Sequence, residues 1–205
     1  MAAKLKLVEP APANVLIPVR GGRKSNKQLG RDRKHLTPSE VECLEQVVKR
    51  NRNGNRDWLM IHMAARHGLR ASELVGLKRS AIDLDRGRLQ VARLKGGMPA
   101  VHPLDADTMR ALRRLYRETG EHDYVFVSER GGPMAREGFQ RLVERAGQAA
   151  GLGFAVHPHM LRHACGYRLA NEGKDAFAIQ GWLGHQSLSM TKGYGSLAAD
   201  RFKDW

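Results

Sequence analysis

Seven polar residues carry most of the chemistry this chain can offer: Arg70, Glu73, Lys95, His159, Arg162, His185 and Tyr194. Their spacing puts them at helix ends and turns. Arg70 follows the Gly68-Leu69 break, and Glu73, three residues on, can hold Arg70 or a neighbouring histidine. His159 and Arg162 are three apart on one helical run, so both project from one face. His157-Pro158 before them fixes where the first turn of that helix points. His185 comes directly after Gly184, where the chain leaves a helix and can aim a ring into a cleft. Tyr194 lies nine residues later, at what reads as the exposed end of a short helix. Lys95 marks a hairpin tip beside Gly96-Gly97, a place for a mobile, exposed cation.

Two arginines, two histidines, a lysine and a tyrosine suit a trigonal phosphoryl transition state. A planar guanidinium can donate to two non-bridging oxygens at once. The histidines and the lysine can carry protons. A phenol has a pKa of about 10, so near neutrality it attacks only with help from cations and a base. Each residue alone has a plainer reading. Arg70 can be a structural ion pair with Glu73, His185 can cap its own helix, Lys95 can be solvated turn chemistry, and Tyr194 can be core. His157, His159 and His163 have zinc-like spacing. Yet no Glu follows His159, as the HExxH arrangement requires, and Arg162 puts a cation at the centre, so no metal site is expected here. Cys43 and Cys165 both fall in helix-like patterns and read as buried reduced thiols in a cytoplasmic protein, Cys165 as a small apolar core residue.

The elements that must position this set are mostly helical. Thr37-Pro38-Ser39-Glu40 is a helix start with a capping box, followed by an apolar face of Val41, Leu44, Val47 and Val48. A second helix is expected over about 56–67 with Trp58, Ile61 and Ala65 inward, stopped at Gly68, and a short third carries Leu74 and Leu77. The period then changes. Residues 81–84, 88–91 and 99–101 read as short strands, with turns at Asp85-Arg86-Gly87 and Lys95-Gly96-Gly97. Asp105 caps a helix with Met109, Leu112, Leu115 and Tyr116 inward. Further helices follow around Phe139–Ala146, from about His159 to Asn171, after Asp175 as far as Gly184, and from Ser187 to Tyr194. The fold class is mainly α with a small antiparallel β-sheet (α+β).

Thirty-five Lys and Arg against twenty-one Asp and Glu give a net charge of +14, which points to phosphate polymers or an anionic membrane surface. No run of about 18 apolar residues could span a bilayer, and Lys4, Lys6 and Glu9 break up any secretion signal. Half of the excess sits in residues 1–36, where nine basic residues face two acidic ones for +7. That segment has no helical or strand period and reads as a flexible basic arm, with Arg20, Arg23, Lys24, Lys27, Arg31, Arg33 and Lys34 as its DNA-binding candidates. The folded domain is expected over 37–205, with a short C-terminal tail.

The strings His67-Gly68-Leu69-Arg70-Ala71-Ser72-Glu73-Leu74, His159-Met160-Leu161-Arg162-His163 and Leu183-Gly184-His185, followed by Tyr194, resemble the catalytic domain of the tyrosine recombinase (phage integrase) family. Lys95 matches that family's catalytic lysine. The match covers roughly residues 37–200. His157-Pro158-His159-Met160-Leu161-Arg162-His163, Arg93-Leu94-Lys95 and His102-Pro103-Leu104 are most similar to the short recombinases that invert the fimbrial promoter switch in enterobacteria. Those also lack the helical core-binding domain that most integrases carry, for which about 36 residues before Thr37 leave too little room.

The resemblance implies a mechanism. Tyr194 attacks the scissile phosphodiester, leaving a 3′-phosphotyrosyl link and a free 5′-hydroxyl. Arg70 and Arg162 hold the non-bridging oxygens, and Lys95 protonates the leaving oxygen. His159 serves as acid and base toward Tyr194, His185 bonds the phosphate, and Glu73 supports Arg70 and His159. Neither ATP nor metal is required, the partner is double-stranded DNA, and strand exchange calls for a homotetramer on two sites. The segment after Tyr194, with Phe202 and Trp205, would dock on a neighbour. Two other activities share the residue set: type IB topoisomerase-like relaxation, and DNA-binding regulation with a relic site. A supercoiled plasmid without paired sites separates the first from recombination. The completeness of the seven polar positions argues against the second.

Overall fold

The computed structural model describes residues 34–93 and 97–195. The arm lies outside the described residues except for its last three positions. Lys95 and the tail after Gly195 lie outside them as well. Within the three, Leu36 is buried in the main core, and the ring of His35 stands 3.8 Å from that of Tyr167. The folded unit therefore takes in two residues that the sequence assigns to the arm, because Leu36 is an apolar group with a core position waiting for it.

Helix α1 (Pro38–Val48) begins as expected: the Glu40 amide donates to the Thr37 hydroxyl and the Thr37 amide to the Glu40 carboxylate. Its Leu44 and Val48 pack on α2 (Gly54–His67), the central helix, which buries Leu59, Met60, Ile61, Met63 and Ala64. Cys43, expected to be buried, lies instead on the exposed side of α1, because the apolar face beside it is taken by Leu44 and Val48, while Cys165 is buried as expected. This helix starts two residues earlier than expected, at Gly54. A Cβ there would stand 2.2 Å from the Lys49 carbonyl oxygen, so only glycine lets the α1–α2 turn close this tightly. Trp58 sits at the rim, donating from Nε1 to Glu45 at 3.2 Å. Gly68 ends α2 in the left-handed region (φ 61°), and the chain turns at once into α3 (Ala71–Val75).

The sheet has three antiparallel strands in sequence order: β1 (Ile82–Asp83), β2 (Arg88–Val91) and β3 (Ala100–Pro103). Leu89 pairs with Ile82 on one side and His102 on the other. Leu89, Val91 and His102 face the interior, while Arg88, Gln90 and Val101 face solvent, the alternation a one-sided sheet requires. The third strand runs later than expected, its four residues paired in register with Arg88–Val91 of β2. Helix α4 (Ala106–Thr119) is capped by the Asp105 carboxylate, which accepts from the Thr108 amide at 2.8 Å. Residues 124–127 make only isolated bridges, Lys78 to Tyr124 and Val127 to Pro133.

Helices α5 (Arg136–Ala149), α6 (Pro158–Asn171), α7 (Ala176–Leu183) and α8 (Ser189–Gly195) complete the described fold. Helix α6 has no clear polar face because it is covered on two sides. Met160, Leu161 and Ala164 belong to the main core, while Cys165, Leu169 and Ala170 join Ile179, Leu183 and Tyr194 in a second, smaller cluster. The α7–α8 layer is thus a separate hydrophobic unit leaning on α6. Asp175 caps α7 with bonds from the Phe177 and Ala178 amides, and Gly184 ends it in the left-handed region (φ 64°).

Candidate active site

The site forms where three features meet: the Gly68 turn, the first half of α6, and the Gly184 turn with α8. Arg162 points from α6 into this junction and is almost wholly buried. Its guanidinium donates to the carbonyl oxygen of Gly68 and, at 2.7 Å, to that of Leu183. Carbonyls left over at two helix C-termini thereby satisfy a buried cation. Burial, with Arg70 and Arg93 nearby, brings the Arg162 pKa down to about 10, so it stays charged at neutral pH.

Arg70 occupies the N-cap position of α3 and is held by Glu73 in the manner its spacing suggests. Nη1 donates to Oε1 at 2.7 Å, and the Arg70 amide donates to Oε2 at 2.9 Å. Oε2 also accepts from Arg93 Nη1 at 2.9 Å, so the second partner of Glu73 is Arg93 and not His159. Burial alone would raise the Glu73 carboxyl. The Arg70 amide and the Arg93 and Arg70 cations outweigh it and hold the group below the usual carboxylate range. Arg70 and His159 share a groove of about 330 Å³ with Ser72, Arg136, Gln140 and His157.

Tyr194 is not at an exposed helix end. It is 5% exposed, and its ring lies flat against α6 at Gly166, where a Cβ would stand 2.6 Å from the ring atoms. Its hydroxyl is 3.0 Å from His163 Nδ1. The imidazole that reaches the phenol is therefore His163, whereas His159 touches His163 edge-on with ring centroids 4.5 Å apart. Burial pushes the Tyr194 hydroxyl up to about 12 against the pull of Arg162, and it stays protonated in the free protein. His163 and His185 are brought down to about 4, each by burial and then by the cations and histidines around it, so both are neutral at pH 7. Burial and Arg162 also lower His159. His185 is buried beneath α8, with Nδ1 3.0 Å from the Thr191 hydroxyl and its ring parallel to that of Tyr194 at 6.2 Å.

The structure thus gathers Arg70, Glu73, His159, Arg162, His185 and Tyr194, and adds Arg93 and His163. Among the described residues of the site, three guanidiniums face one carboxylate and neutral imidazoles. An excess of buried positive charge with a phenol beside it is a receptacle for a singly charged phosphodiester. In the sequence Arg93 stands out only as part of a matching string, and His163 only as part of one and as a candidate zinc ligand beside His159. Gly166, in the middle of a helix, was the available sign that something packs there closely.

The sequence profile of the phage integrase family matches residues 34–201. The chain belongs to the phage integrase family. It is 41% identical over 176 residues to the type 1 fimbriae regulatory protein FimE of Escherichia coli K12, covering 83% of this chain and 89% of that protein. Its fold is similar to the crystal structure of XerA recombinase (TM-score 0.72, 27% identity), over 82% of this chain and 61% of that one. It is also similar to XerH site-specific recombinase bound to difH substrate before cleavage (TM-score 0.71, 25% identity), over 79% of this chain and 50% of that one. The chain therefore spans less than two thirds of these structural relatives. The fold class read from the sequence, mainly helical with a small antiparallel sheet, is that of the tyrosine recombinase catalytic domain, and the chain is a tyrosine-type recombinase.

Proposed function

We propose that this recombinase inverts or integrates a segment of double-stranded DNA between two specific sites, with Tyr194 as nucleophile. The Tyr194 oxygen attacks the scissile phosphorus, the bond to the 5′-oxygen breaks, and a 3′-phosphotyrosyl link forms. Arg70 and Arg162 hold the non-bridging oxygens as charge builds on them, and His185 donates to the phosphate. Lys95 supplies the proton the 5′-oxygen takes as it leaves. The phenolic proton passes to the His163–His159 pair. His163 is in contact with the hydroxyl, and a bound phosphate, by its negative charge, raises the basicity of both rings. A 5′-hydroxyl from the partner duplex reverses the step, so energy is conserved and neither ATP nor metal enters. Strand exchange uses four protomers on two sites, with the residues after Tyr194 reaching a neighbour, and takes place on the bacterial nucleoid.

The observation that carries this reading is the Tyr194 hydroxyl on the imidazole next to Arg162, inside a cluster of three guanidiniums and one carboxylate. The likeness to FimE favours inversion. The test uses two supercoiled plasmids, one with the inverted repeats nearest the gene and one with no paired sites. Inversion confined to the first is the expected result. Relaxation of both without inversion would overturn the reading in favour of a topoisomerase-like activity.

A further inference from the structure

The Arg93 side chain is fully buried, at 0% exposure. Arg162 is buried too but donates to only two backbone carbonyls, whereas Arg93 makes the densest set of bonds at the site and commits both of its Nη atoms to protein acceptors. Nη1 donates to Glu73 Oε2 at 2.9 Å and to the Gly68 carbonyl at 3.4 Å. Nη2 donates to the His67 carbonyl at 3.3 Å and to the Trp182 carbonyl. One planar group thus ties together the turn that presents Arg70, the carboxylate that orients Arg70, and the end of α7 just before His185. The backbone is cut to fit it. A Cβ at Gly184 would stand 2.5 Å from Arg93 Cγ, and one at Gly97 would stand 2.7 Å from Arg93 Cβ. Arg93 is also a fixed charge behind the site, close enough to bear on Arg162 and His185.

We propose that Arg93 is a positioning residue for DNA cleavage, acting through Arg70 and through the Gly68 and Gly184 turns rather than on the phosphate itself. A point cation cannot span these acceptors, since lysine has no planar fork and is shorter. Lysine at this position would keep the charge beside Glu73 and release the turns. Small misplacements of a clamp cost rate steeply: a shift near 1 Å is worth about a hundredfold.

The inference rests on the recombinase reading of the same site, and its test separates the two. Full-length parent, Arg93→Lys, Arg93→Gln and Arg70→Ala are compared in single-turnover cleavage of a nicked suicide duplex. One duplex carries an ordinary scissile phosphodiester and the other an uncharged methylphosphonate. The methylphosphonate lacks the anionic oxygen that needs an oriented arginine. Both Arg93 variants should stay folded and bind DNA within about threefold of the parent. They should cleave the phosphodiester about tenfold to a hundredfold more slowly. On the methylphosphonate they should recover to within about threefold of the parent, as Arg70→Ala should. An equal deficit on both substrates, or cleavage of the phosphodiester at the parent rate, would overturn the positioning role. Loss of the folded state in both variants would overturn it too, by making Arg93 a prop of the fold alone. Failure of the parent to form any adduct would instead count against the recombinase reading.

Discussion

The two halves of the proposed active site are held in opposite ways. On one side Arg70, Arg93 and Arg162 donate to a carboxylate and to the backbone carbonyls of Gly68, His67, Trp182 and Leu183, groups fixed by helix ends and the main core. On the other side Tyr194 has one hydrogen bond, to a neutral histidine, and a ring laid on Gly166 within the smaller cluster. In the proposed mechanism the arginines form a preorganised anion clamp, and Tyr194, the proposed nucleophile, is parked with its proton on. Under the proposed mechanism such a division would put substrate electrostatics in the half anchored to the main core and leave the activating step to the α7–α8 layer, whose smaller core is cheaper to rearrange.

If the clamp is rigid, its geometry is not interchangeable. Arg70→Lys and Arg162→Lys should each cost on the order of 3 kcal/mol, about a hundredfold in cleavage rate, with DNA affinity little changed. Single-turnover cleavage on a suicide substrate measures this, and rates within a fewfold of the parent would mean the arginines serve as simple charges. The parked tyrosine is broken from the α6 side. Gly166→Ala drives a methyl group into the ring of Tyr194 and should slow cleavage roughly tenfold or more, with the helix itself gaining in intrinsic propensity. Unchanged cleavage would show that the packed position is irrelevant to the path of attack.

Outside both halves, the arm should alter binding and not chemistry. Because Leu36 is core, the informative deletion removes residues 1–33. If about four of its basic residues meet phosphates, the slope of log K against log salt falls by roughly three to four, equally on specific and random DNA. Cleavage of the saturated complex should stay as it was. A salt titration on both DNAs checks the slope, and an unchanged slope would leave the arm in solvent.

A separate effect, on stability and not on chemistry, follows from the buried histidines. Burial depresses His67 to about 3 and His102, His163 and His185 to about 4, so the folded form binds fewer protons than the unfolded chain, whose histidines titrate near 6.5. Stability is complete above pH 6.5 and drains away as pH falls toward 4, by on the order of 1–2 kcal/mol per histidine after screening. Glu73, held below its ordinary range, adds to the loss only at the acid end of that window. Thermal melts between pH 7.5 and 4.5 should show a falling midpoint, and a flat one would contradict these assignments.

What the sequence made legible was local. The caps at Thr37, Asp105 and Asp175, the stops at Gly68 and Gly184, and the Arg70–Glu73 pair all lie within a few residues of their partners, so spacing alone exposes them. What stayed hidden depends on contacts across the chain. Arg93 meets Glu73 20 residues away and Trp182 89 away, and His163 meets Tyr194 31 residues away. A short helix of polar residues such as α8 reads as exposed until α6 is seen to offer a glycine for its tyrosine.

The account stands on Tyr194 being the residue that joins DNA, although four tyrosines are present and Tyr167 packs edge-on against it at 5.1 Å. The most direct measurement traps the covalent adduct on a nicked suicide duplex, digests protein and DNA, and locates the nucleotide by peptide mass spectrometry. The expected result is a single modified peptide bearing a 3′-linked nucleotide on Tyr194, absent from Tyr194→Phe. A nucleotide on Tyr167 or any other residue, or an adduct that survives in Tyr194→Phe, would contradict the account.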